Sequence, residues 1–345
     1  MKIIVDAMGG DNAPDAVVLG ATNAAQIADV DITLVGRAEV ILRAYERNGI
    51  KDIPDRIEIV NANEEILIED DPASAIRTKK DSSLTVGLRL LRDGHGDAFV
   101  SAGSTGAILS GATLIVKRIR GIRRAALAPL IPSASNRFVL IDCGANTECT
   151  PEYLLQFAFM GSFYSQDVMS ISNPRVGLLN NGAESSKGTA LQLETFSLLE
   201  NADRNKHLNF VGNVEAGDAM KGACDVLVCD GFTGNIFLKT VEGTAKLIMK
   251  ELKSVFSTNP TTKLSYLLVK KHMGGLKEKL SADAVGGTAL LGISKPVIKA
   301  HGSSNEIAIC SAIRQAVAEV GSNIALKLSD NIDKMKLSAD DSAKN

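Results

Sequence analysis

Short apolar runs rich in β-branched residues alternate with longer windows of helical periodicity along most of the chain. Nine runs predict strands, at residues 2–6, 32–36, 57–60, 98–101, 138–144, 176–180, 225–231, 289–293 and 296–300. Seven windows predict helices, at residues 13–28, 38–48, 82–93, 105–119, 151–165, 187–200 and 305–327. Several strands are apolar at every position, which is typical of strands covered by helices on both faces. The alternation predicts the α/β class, as a three-layer α/β/α sandwich with a mainly parallel sheet.

The segment 250–280 interrupts this pattern. It carries seven lysines against Glu251 and Glu278, and Asn259-Pro260 should end one long helix and start another. We therefore predict a protruding helical hairpin, inserted at about 244–280 in a single α/β domain at 1–327, followed by a polar tail at 328–345. The tip of this hairpin carries apolar and basic side chains, namely Phe256, Lys263, Leu264, Leu267, Leu268, Lys270 and Lys271.

Two roles fit this tip. Helical hairpins usually bury such apolar residues against a partner subunit. Alternatively, the lysines can bind the headgroups of an anionic membrane while the leucines insert into it. The lysines could also contact an acidic protein. We predict a homodimer together with peripheral membrane contact.

Composition limits the cellular compartment and the classes of partner that we expect. With 345 residues, of which 45% are apolar, the chain can bury a large core. Its net charge of −2 argues against nucleic acid as a main partner. Five cysteines without a C-x-x-C pair predict neither a disulfide framework nor structural zinc, and they indicate a reducing cytoplasm. We expect neither a signal peptide nor a membrane span, since no 18-residue apolar stretch occurs.

Polar, glycine-containing segments follow six of the predicted strands. They are "DAMGGDNAP" (6–14), "SAGSTGA" (101–107), "DCGANTE" (142–148), "NNGAESSKG" (180–188), "DGFTGN" (230–235) and "HGSSN" (301–305). In open parallel sheets, ligands bind at the carboxyl ends of the strands. The six segments therefore predict one crevice that is rich in hydrogen-bond donors.

The turn in "FVSAGSTGAILS" (99–110) lies between a predicted strand and a predicted helix. Its unpaired N–H groups and glycines favour a phosphate-like anion, although Ser104 or Thr105 could simply cap the helix. Known signatures are absent from the sequence: it has no P-loop, no dinucleotide fingerprint and no G-x-S-x-G elbow. None of the four histidines has ligand spacing with cysteine or carboxylate, so we predict no metal site.

Four side chains in these segments are candidates for chemistry. Lys187 is predicted in the first turn of a helix, where a bound anion would offset its conflict with the helix dipole. Asn235 could stabilise a turn or orient a carbonyl or phosphate oxygen. His301 could be a base or could cap the helix from 305. Cys143 could be a nucleophile, but a small buried cysteine is favoured.

The ordered motifs "DAMGGD", "SAGSTGA", "DCGAN", "DGFTGN", "KTVEGTAK" and "GGTALLGISKPVIKAHGSSN" closely resemble those of the bacterial phosphate acyltransferase family. The resemblance runs from residue 1 to about 325. The sequence departs from the family pattern at Ser104, at Cys143 and in "NNGAESS". The family's enzymes act in phospholipid synthesis, where phosphate attacks an acyl-[acyl carrier protein] thioester to give acyl phosphate and free carrier protein.

This resemblance implies a fold like that of isocitrate dehydrogenase and phosphate acetyltransferase, and a reaction that needs no cofactor. It implies acylated acyl carrier protein and inorganic phosphate as substrates, a homodimer, peripheral contact with the inner face of the cell membrane, and a downstream glycerol-3-phosphate acyltransferase. Lys187 and Asn235 would stabilise the developing oxyanion, with His301 as a third catalytic candidate. The phosphate-binding set would be Ser101, Gly103, Ser104, Thr105, Gly106 and Asn146. The loop-organising set would be Asp6, Gly9, Gly10, Asp11, Asp142 and Asp230.

Other functions fit parts of the sequence. A phosphate acetyltransferase-like enzyme would perform the same chemistry on acyl-coenzyme A. A decarboxylating dehydrogenase of the same fold class needs arginines that these loops lack. A non-enzymatic membrane scaffold would explain the basic hairpin but not the glycine loops. The sequence leaves open the acyl chain length, the general acid and any requirement for a cation.

Overall fold

The computed structural model describes residues 1–280 and 286–336. Within these ranges the strands are β1 (Lys2–Asp6), β2 (Asp31–Gly36), β3 (Ile57–Asn61), β4 (Ala98–Ser101), β5 (Ala126–Ala128), β6 (Leu130–Pro132), β7 (Arg137–Ile141), β8 (Arg175–Leu179), β9 (Asn209–Val214), β10 (Val226–Val228), β11 (Thr288–Leu291) and β12 (Val297–Lys299). The α-helices are α1 (Asp15–Ile27), α2 (Ala38–Arg47), α3 (Pro72–Thr78), α4 (Ser83–Arg92), α5 (Thr105–Gly111), α6 (Pro151–Asp167), α7 (Ala190–Arg204), α8 (Ala216–Lys221), α9 (Gly231–Ser257), α10 (Pro260–Leu280), α11 (Glu306–Ser322) and α12 (Ile324–Asp330). A π-helical turn, Ala112–Val116, extends α5, and a 3-10 turn, Ile332–Lys336, follows α12.

The strands form two sheets. The first has the order β3-β2-β1-β4-β12-β11-β5, and the second has the order β6-β7-β10-β8-β9. Their pairs are parallel except those made by β11 and by β6. The predicted α/β class with mainly parallel strands is therefore confirmed, and its strands are divided between two sheets instead of one.

Helices cover both faces of the first sheet. In β1, Ile3 and Val5 belong to one hydrophobic cluster together with Val18 of α1. Ile4 points to the opposite face and belongs to a second cluster with Leu88 of α4. Burial on both faces explains why this strand is apolar at every position.

Strands β5, β6 and β9 are absent from the sequence prediction. Strands β5 and β6 have three residues each and are separated by Pro129, and β9 contains Gly212. Such short or glycine-containing runs carry little periodic signal. Strand β5 pairs with the distant β11, which local patterns do not reveal, whereas β6 pairs with the adjacent β7.

The C-terminal part of the described chain packs further than predicted. Helix α12 spans the predicted boundary at residue 327, and Leu328, Ile332 and Met335 are buried. The packed region therefore extends at least to Lys336, because these three side chains join the main hydrophobic cluster. The rest of the predicted tail, residues 337–345, lies outside the described residues.

The break predicted at Asn259-Pro260 lies where α9 ends and α10 begins. Asn259 accepts a hydrogen bond from the Thr262 N–H at 2.9 Å. Phe256 and Tyr266 pack together across the turn, with their ring centroids 5.4 Å apart. Among the helices of the described ranges, none combines the length and the apolarity that crossing a membrane requires.

Glu319 of α11 is a buried carboxyl group, only 3% exposed, and its Oε2 has no hydrogen-bond partner among the described residues. Burial raises the pKa of Glu319 from 4.5 to about 8. The stability that this group contributes is complete below about pH 4.5 and is lost as the pH rises through about 8. We therefore expect Glu319→Gln to stabilise the fold by roughly 4 kcal/mol at pH 8.5 and to have little effect at pH 4. Urea unfolding at both pH values tests this, and an equal effect at the two would contradict it.

Candidate active site

The loops after β1 and β4 are joined by a buried carboxylate–hydroxyl pair. Ser101 donates its hydroxyl to Asp6 Oδ2 at 2.7 Å and accepts from the Gly103 N–H at 3.0 Å. A Cβ on Gly9 would lie 2.7 Å from both Gly103 N and Asp6 Oδ2, so this approach requires glycine. Asp6 and Gly9 thus organise the loops. The Ser101 hydroxyl and the Gly103 N–H are engaged inside the loop, and their binding of phosphate stays a prediction.

The loop after β12 packs on the loop after β1. The Asp11 N–H donates to Gly302 O at 2.8 Å. Gly10 has φ +102°, and a Cβ there would lie 2.9 Å from the Ala102 Cβ, so glycine is required on both counts. These contacts bring His301 to the same edge of the sheet as the exits of β1 and β4.

Asp142 organises the exit of β7 in the second sheet. Its buried carboxylate accepts from the N–H groups of Leu127, Cys143 and Asn146 at 2.6–2.8 Å. Burial raises the pKa of Asp142, and these hydrogen bonds oppose the shift. Asn146 Nδ2 donates to Ala125 O at 2.8 Å and to Asp142 Oδ2 at 3.0 Å. Both amide protons of Asn146 are therefore used within the protein, and its binding of phosphate stays a prediction.

The start of α9 is held against this network. Asp230 caps the helix by accepting from the Thr233 N–H at 2.9 Å and from the Thr233 hydroxyl at 2.7 Å. A Cβ on Gly234 would collide with Asp142 O, so glycine allows the helix to begin directly beside β7. The next residue, Asn235, consequently lies at the crevice between the two sheets.

A cavity of about 310 Å³, here called the main cavity, lies between the exits of the two sheets. Leu127, Pro129, Leu130 and Leu238 form part of its apolar wall. Its polar lining includes Thr105, Asn235, Lys239, Glu242, Thr288, Lys299 and His301. Two lysines against one carboxylate leave an excess of positive charge, which suits a small anion.

Lys299 is the cation at the carboxyl end of β12. Burial lowers the pKa of Lys299, and the charge of Lys239 lowers it further, while Glu242 and Asp11 oppose the shift. Lys239 pairs with Glu242 at 2.9 Å, whereas Lys299 forms no ion pair within the ranges that the structure describes. Lys299 is therefore the cation of this cavity with the greatest need for a bound anion.

Sequence reasoning missed Lys239, Glu242 and Lys299. A signal for Lys299 is present in "PVIKA", where a lysine ends an otherwise buried strand. Lysine is rarely placed at such a position without a partner. Lys239 and Glu242 are separated by three residues on α9 and resemble an ordinary surface pair.

His301 is fixed by Ser303. The Ser303 N–H donates to His301 Nδ1 at 3.2 Å, and the Ser303 hydroxyl lies 2.9 Å from the same atom. Because Nδ1 accepts, the neutral ring carries its proton on Nε2. Burial lowers the pKa of His301, and the charge of Lys299 lowers it further. Asn305 caps α11 by accepting from the Ala308 N–H, so the alternative that His301 caps this helix is wrong.

Cys143 lines the main cavity as a buried thiol. Its side chain is buried, and its Sγ donates to Gly234 O at 3.5 Å. Burial raises the pKa of Cys143 to about 12, with a further contribution from Asp142. The thiol is therefore protonated at neutral pH, which confirms the interpretation as a small buried cysteine.

Part of the predicted phosphate cradle remains available at the start of α5. Ser104 occupies the N-cap position without a side-chain capping bond. Thr105 lines the main cavity. Gly106 packs on Pro72, where a Cβ would lie 2.8 Å from the proline Cγ, so packing explains that glycine. Ser104 and Thr105 are the members of the set that keep free side-chain donors in the described part of the chain.

Lys187 lies in a different place from the one predicted. It is exposed and precedes α7, which begins at Ala190, so the prediction that it lies within the first helical turn is wrong. Its carbonyl oxygen accepts from Asn180 Nδ2 at 3.1 Å. The neighbouring Gly188 lines a separate cavity of about 740 Å³, here called the second cavity. Lys187 is not in the lining of the main cavity, and the structure therefore does not bring it together with Asn235 in one lining.

A family model described as "Fatty acid synthesis protein" matches residues 1–327. Phosphate acyltransferase from Oceanobacillus iheyensis is 47% identical over 317 residues, which cover 92% of each chain. Phosphate acyltransferase from Caldanaerobacter subterraneus subsp. tengcongensis is 44% identical over 337 residues, which cover 96% of this chain and 98% of that protein.

Among solved structures, a phosphotransacetylase from Streptococcus pyogenes superimposes with a TM-score of 0.61 at 20% identity, covering 93% of this chain and 94% of that chain. This likeness confirms the predicted phosphate acetyltransferase-like fold. The sequence matches extend over nearly the whole chain, and both matched relatives carry the name phosphate acyltransferase. The chain therefore belongs to the fatty acid synthesis protein family whose curated relatives are phosphate acyltransferases, and it is an acyl-transferring enzyme.

Proposed function

We propose that the enzyme transfers a long-chain acyl group from the thioester of acyl carrier protein to inorganic phosphate, and that the main cavity is its catalytic site. The observation that carries this proposal is the placement of Lys299 and Lys239 in one cavity with Asn235 and a neutral His301. An anion and a carbonyl group are the two reactants that this set of side chains suits.

Phosphate binds against Lys299 and Lys239, with the Thr105 hydroxyl as a further donor. Phosphate is both the bound anion and the nucleophile, so the reaction needs no acyl-enzyme. Holding it against the thioester carbonyl removes an entropic barrier of roughly 7–11 kcal/mol. The buried position of Lys299 strengthens this attraction, because a charge pair is screened less away from water.

Attack forms a bond from a phosphate oxygen to the carbonyl carbon, and the carbon–sulfur bond then breaks. Asn235 donates its amide to the carbonyl oxygen as negative charge develops there. The departing thiolate needs one proton, and hydrogen phosphate releases one proton when it becomes acyl phosphate. That proton passes to the thiolate, and the neutral His301 can donate its Nε2–H as a hydrogen bond to the departing sulfur. Atoms and charges balance without a cofactor.

Purified protein with palmitoyl-[acyl carrier protein] tests the proposal. We expect thiol release that requires phosphate, together with an acyl phosphate that hydroxylamine converts to hydroxamate. Palmitoyl-coenzyme A in a parallel assay identifies the thiol carrier, and faster turnover of it would favour the phosphate acetyltransferase-like alternative. Thiol release without phosphate would indicate a thioesterase. No release from either thioester would favour the scaffold.

We propose in addition that the start of α10, next to the turn after α9, contacts the inner face of an anionic cell membrane. Leu264, Leu267 and Leu268 are 62%, 65% and 80% exposed, and Lys263 lies beside them, also exposed. Apolar side chains next to lysines are typical of segments that bind anionic lipid surfaces. The homodimer and the downstream glycerol-3-phosphate acyltransferase stay predictions.

The double variant Leu267→Asp/Leu268→Asp should bind phosphatidylglycerol vesicles at least about tenfold more weakly, because two apolar side chains no longer enter the lipid. Co-flotation with the vesicles measures this binding. Leu326→Asp is the matched control, since Leu326 is 65% exposed on α12. Equal binding of the double variant and the control would contradict the proposed contact.

A further inference from the structure

The second cavity has an apolar lining. It lies at the exits of β8 and β9 and is bounded by the starts of α7 and α8 and by one side of α9. Its apolar lining residues are Leu179, Ala216, Met220, Ile236, Phe237 and Val241. No charged side chain of the described residues lines it. Its volume of about 740 Å³ lies in the range of small-molecule sites.

Several of the polar side chains in the lining, namely those of Asn180, Thr189, Gln192 and Thr233, are already paired within the protein. Asn180 donates to Lys187 O and accepts from the Asn181 N–H. Thr189 and Gln192 bond to each other at the start of α7, and the Thr233 hydroxyl donates to Asp230. These groups offer little to a polar ligand. The lining therefore suits a hydrocarbon better than an amide-containing chain.

Helix α9 connects this cavity with the main one. Asn235 lines the main cavity and the adjacent Ile236 lines the second. Ile236 is 52% exposed and Phe232, one turn earlier, is 60% exposed. Large, solvent-exposed apolar side chains thus lie next to Asn235, the residue proposed to face the reacting carbonyl.

We infer that the second cavity binds the hydrocarbon chain of the acyl substrate. The identity of that chain rests on the proposed function, whereas the apolar nature of the ligand rests on the lining alone. The thioester would lie at Asn235 and the chain would pass Ile236 toward Val241 and Met220. The size of this cavity then sets the preferred acyl length.

Two glycines allow a matched test. Gly217 of α8 lines the second cavity, and a Cβ there meets nothing within 4 Å. Gly321 of α11 has equally open surroundings and is in the lining of neither cavity. Gly217→Trp should therefore fill the second cavity without a clash at Cβ, and Gly321→Trp is its control.

We expect Gly217→Trp to lower the ratio of kcat/KM for hexadecanoyl- over butanoyl-[acyl carrier protein] by about tenfold or more, because each methylene kept out of an apolar site costs about fourfold in affinity. Gly321→Trp should keep the wild-type ratio. An unchanged ratio in a folded Gly217→Trp variant overturns the inference.

Fluorescence makes the test independent of catalysis. The chain contains no tryptophan, so each variant carries a single one. Palmitate should shift the emission of Gly217→Trp to shorter wavelength, while inorganic phosphate alone should not, and Gly321→Trp should respond to neither. Absence of the palmitate shift overturns the inference. A shift in Gly217→Trp, with no acyl phosphate formed by the wild type from any thioester, supports the cavity and rejects the proposed function.

A second variant, which introduces a charge into the second cavity, serves if Gly217→Trp does not fold. Ile236→Asp places a carboxylate in the lining and should lower the same ratio. Ile307→Asp is its control, since Ile307 is 62% exposed on α11. Equal ratios in the two aspartate variants overturn the inference.

Discussion

Lys299→Met should lower kcat/KM for phosphate about 100- to 1,000-fold, the range found when one charged or polar group that stabilises a transition state is removed. Methionine keeps the length and apolar body of the side chain, so the buried strand β12 should still pack. Lys299 has no carboxylate partner among the described residues, so its full charge is available to phosphate. Its removal therefore eliminates the main electrostatic attraction for the anion. Lys239 cannot compensate fully, because Glu242 neutralises part of its charge.

Steady-state kinetics at varied phosphate concentration measure this effect. Lys51→Met is the control, because Lys51 is exposed and lies near the far edge of the first sheet. An unchanged KM and kcat in Lys299→Met would mean that phosphate binds elsewhere.

The pH dependence of the KM for phosphate tests the same role of Lys299 in binding phosphate. The pKa of Lys299 is lowered, so its ammonium loses the proton at a lower pH than an exposed lysine does. The KM for phosphate should therefore rise on the alkaline side of the profile. Lys299→Arg keeps its charge throughout and should remove that rise. A rise that persists in Lys299→Arg would assign it to another group.

Asp142→Ala should destabilise the fold by at least about 3 kcal/mol and abolish activity, because several buried N–H donors lose their acceptor together. The carboxylate accepts from Leu127, Cys143 and Asn146, and these bonds hold β5, the exit of β7 and the wall of the main cavity. The start of α9 packs on the same residue through Gly234. Loss of the carboxylate therefore affects both sides of the site.

Urea unfolding and the hydroxamate assay measure the two effects. Asp203→Ala is the control, since Asp203 accepts from one backbone N–H, that of Phe210, at 3.1 Å. That variant should lose only about 1 kcal/mol. Equal destabilisation by the two variants would show that the Asp142 network is not specially important.

The polar glycine segments at the strand exits could be predicted from the sequence because their signals are local. A strand such as 98–101 is apolar at successive positions, and the polar glycine segment after it follows within a few residues. Asp6, Gly9 and Gly10 could be placed among the loop-organising residues for the same reason. Cys143 was interpreted as buried because it directly follows a buried strand.

Sequence patterns do not show which donors are already engaged, because this depends on distant partners. Ser101 has the right type and position for phosphate, but its proton goes to Asp6, 95 residues away in sequence. Asn146 is similar, because its amide is used by Ala125 and Asp142. Lys187 is the cation that the sequence favours in the crevice, yet it is exposed and absent from the lining of the main cavity.

The sequence by itself determined the class of the fold, most of its strands and longer helices, the glycine loops at the strand exits and the family resemblance. These follow from periodicity and from residue types over short windows, which each segment carries with it. Only the tertiary structure decided that the strands form two sheets, which donors are already engaged, and that Lys239 and Lys299 meet in one cavity. Those features arise from contacts between segments far apart in the chain, where burial and pairing determine which polar groups remain free for a ligand.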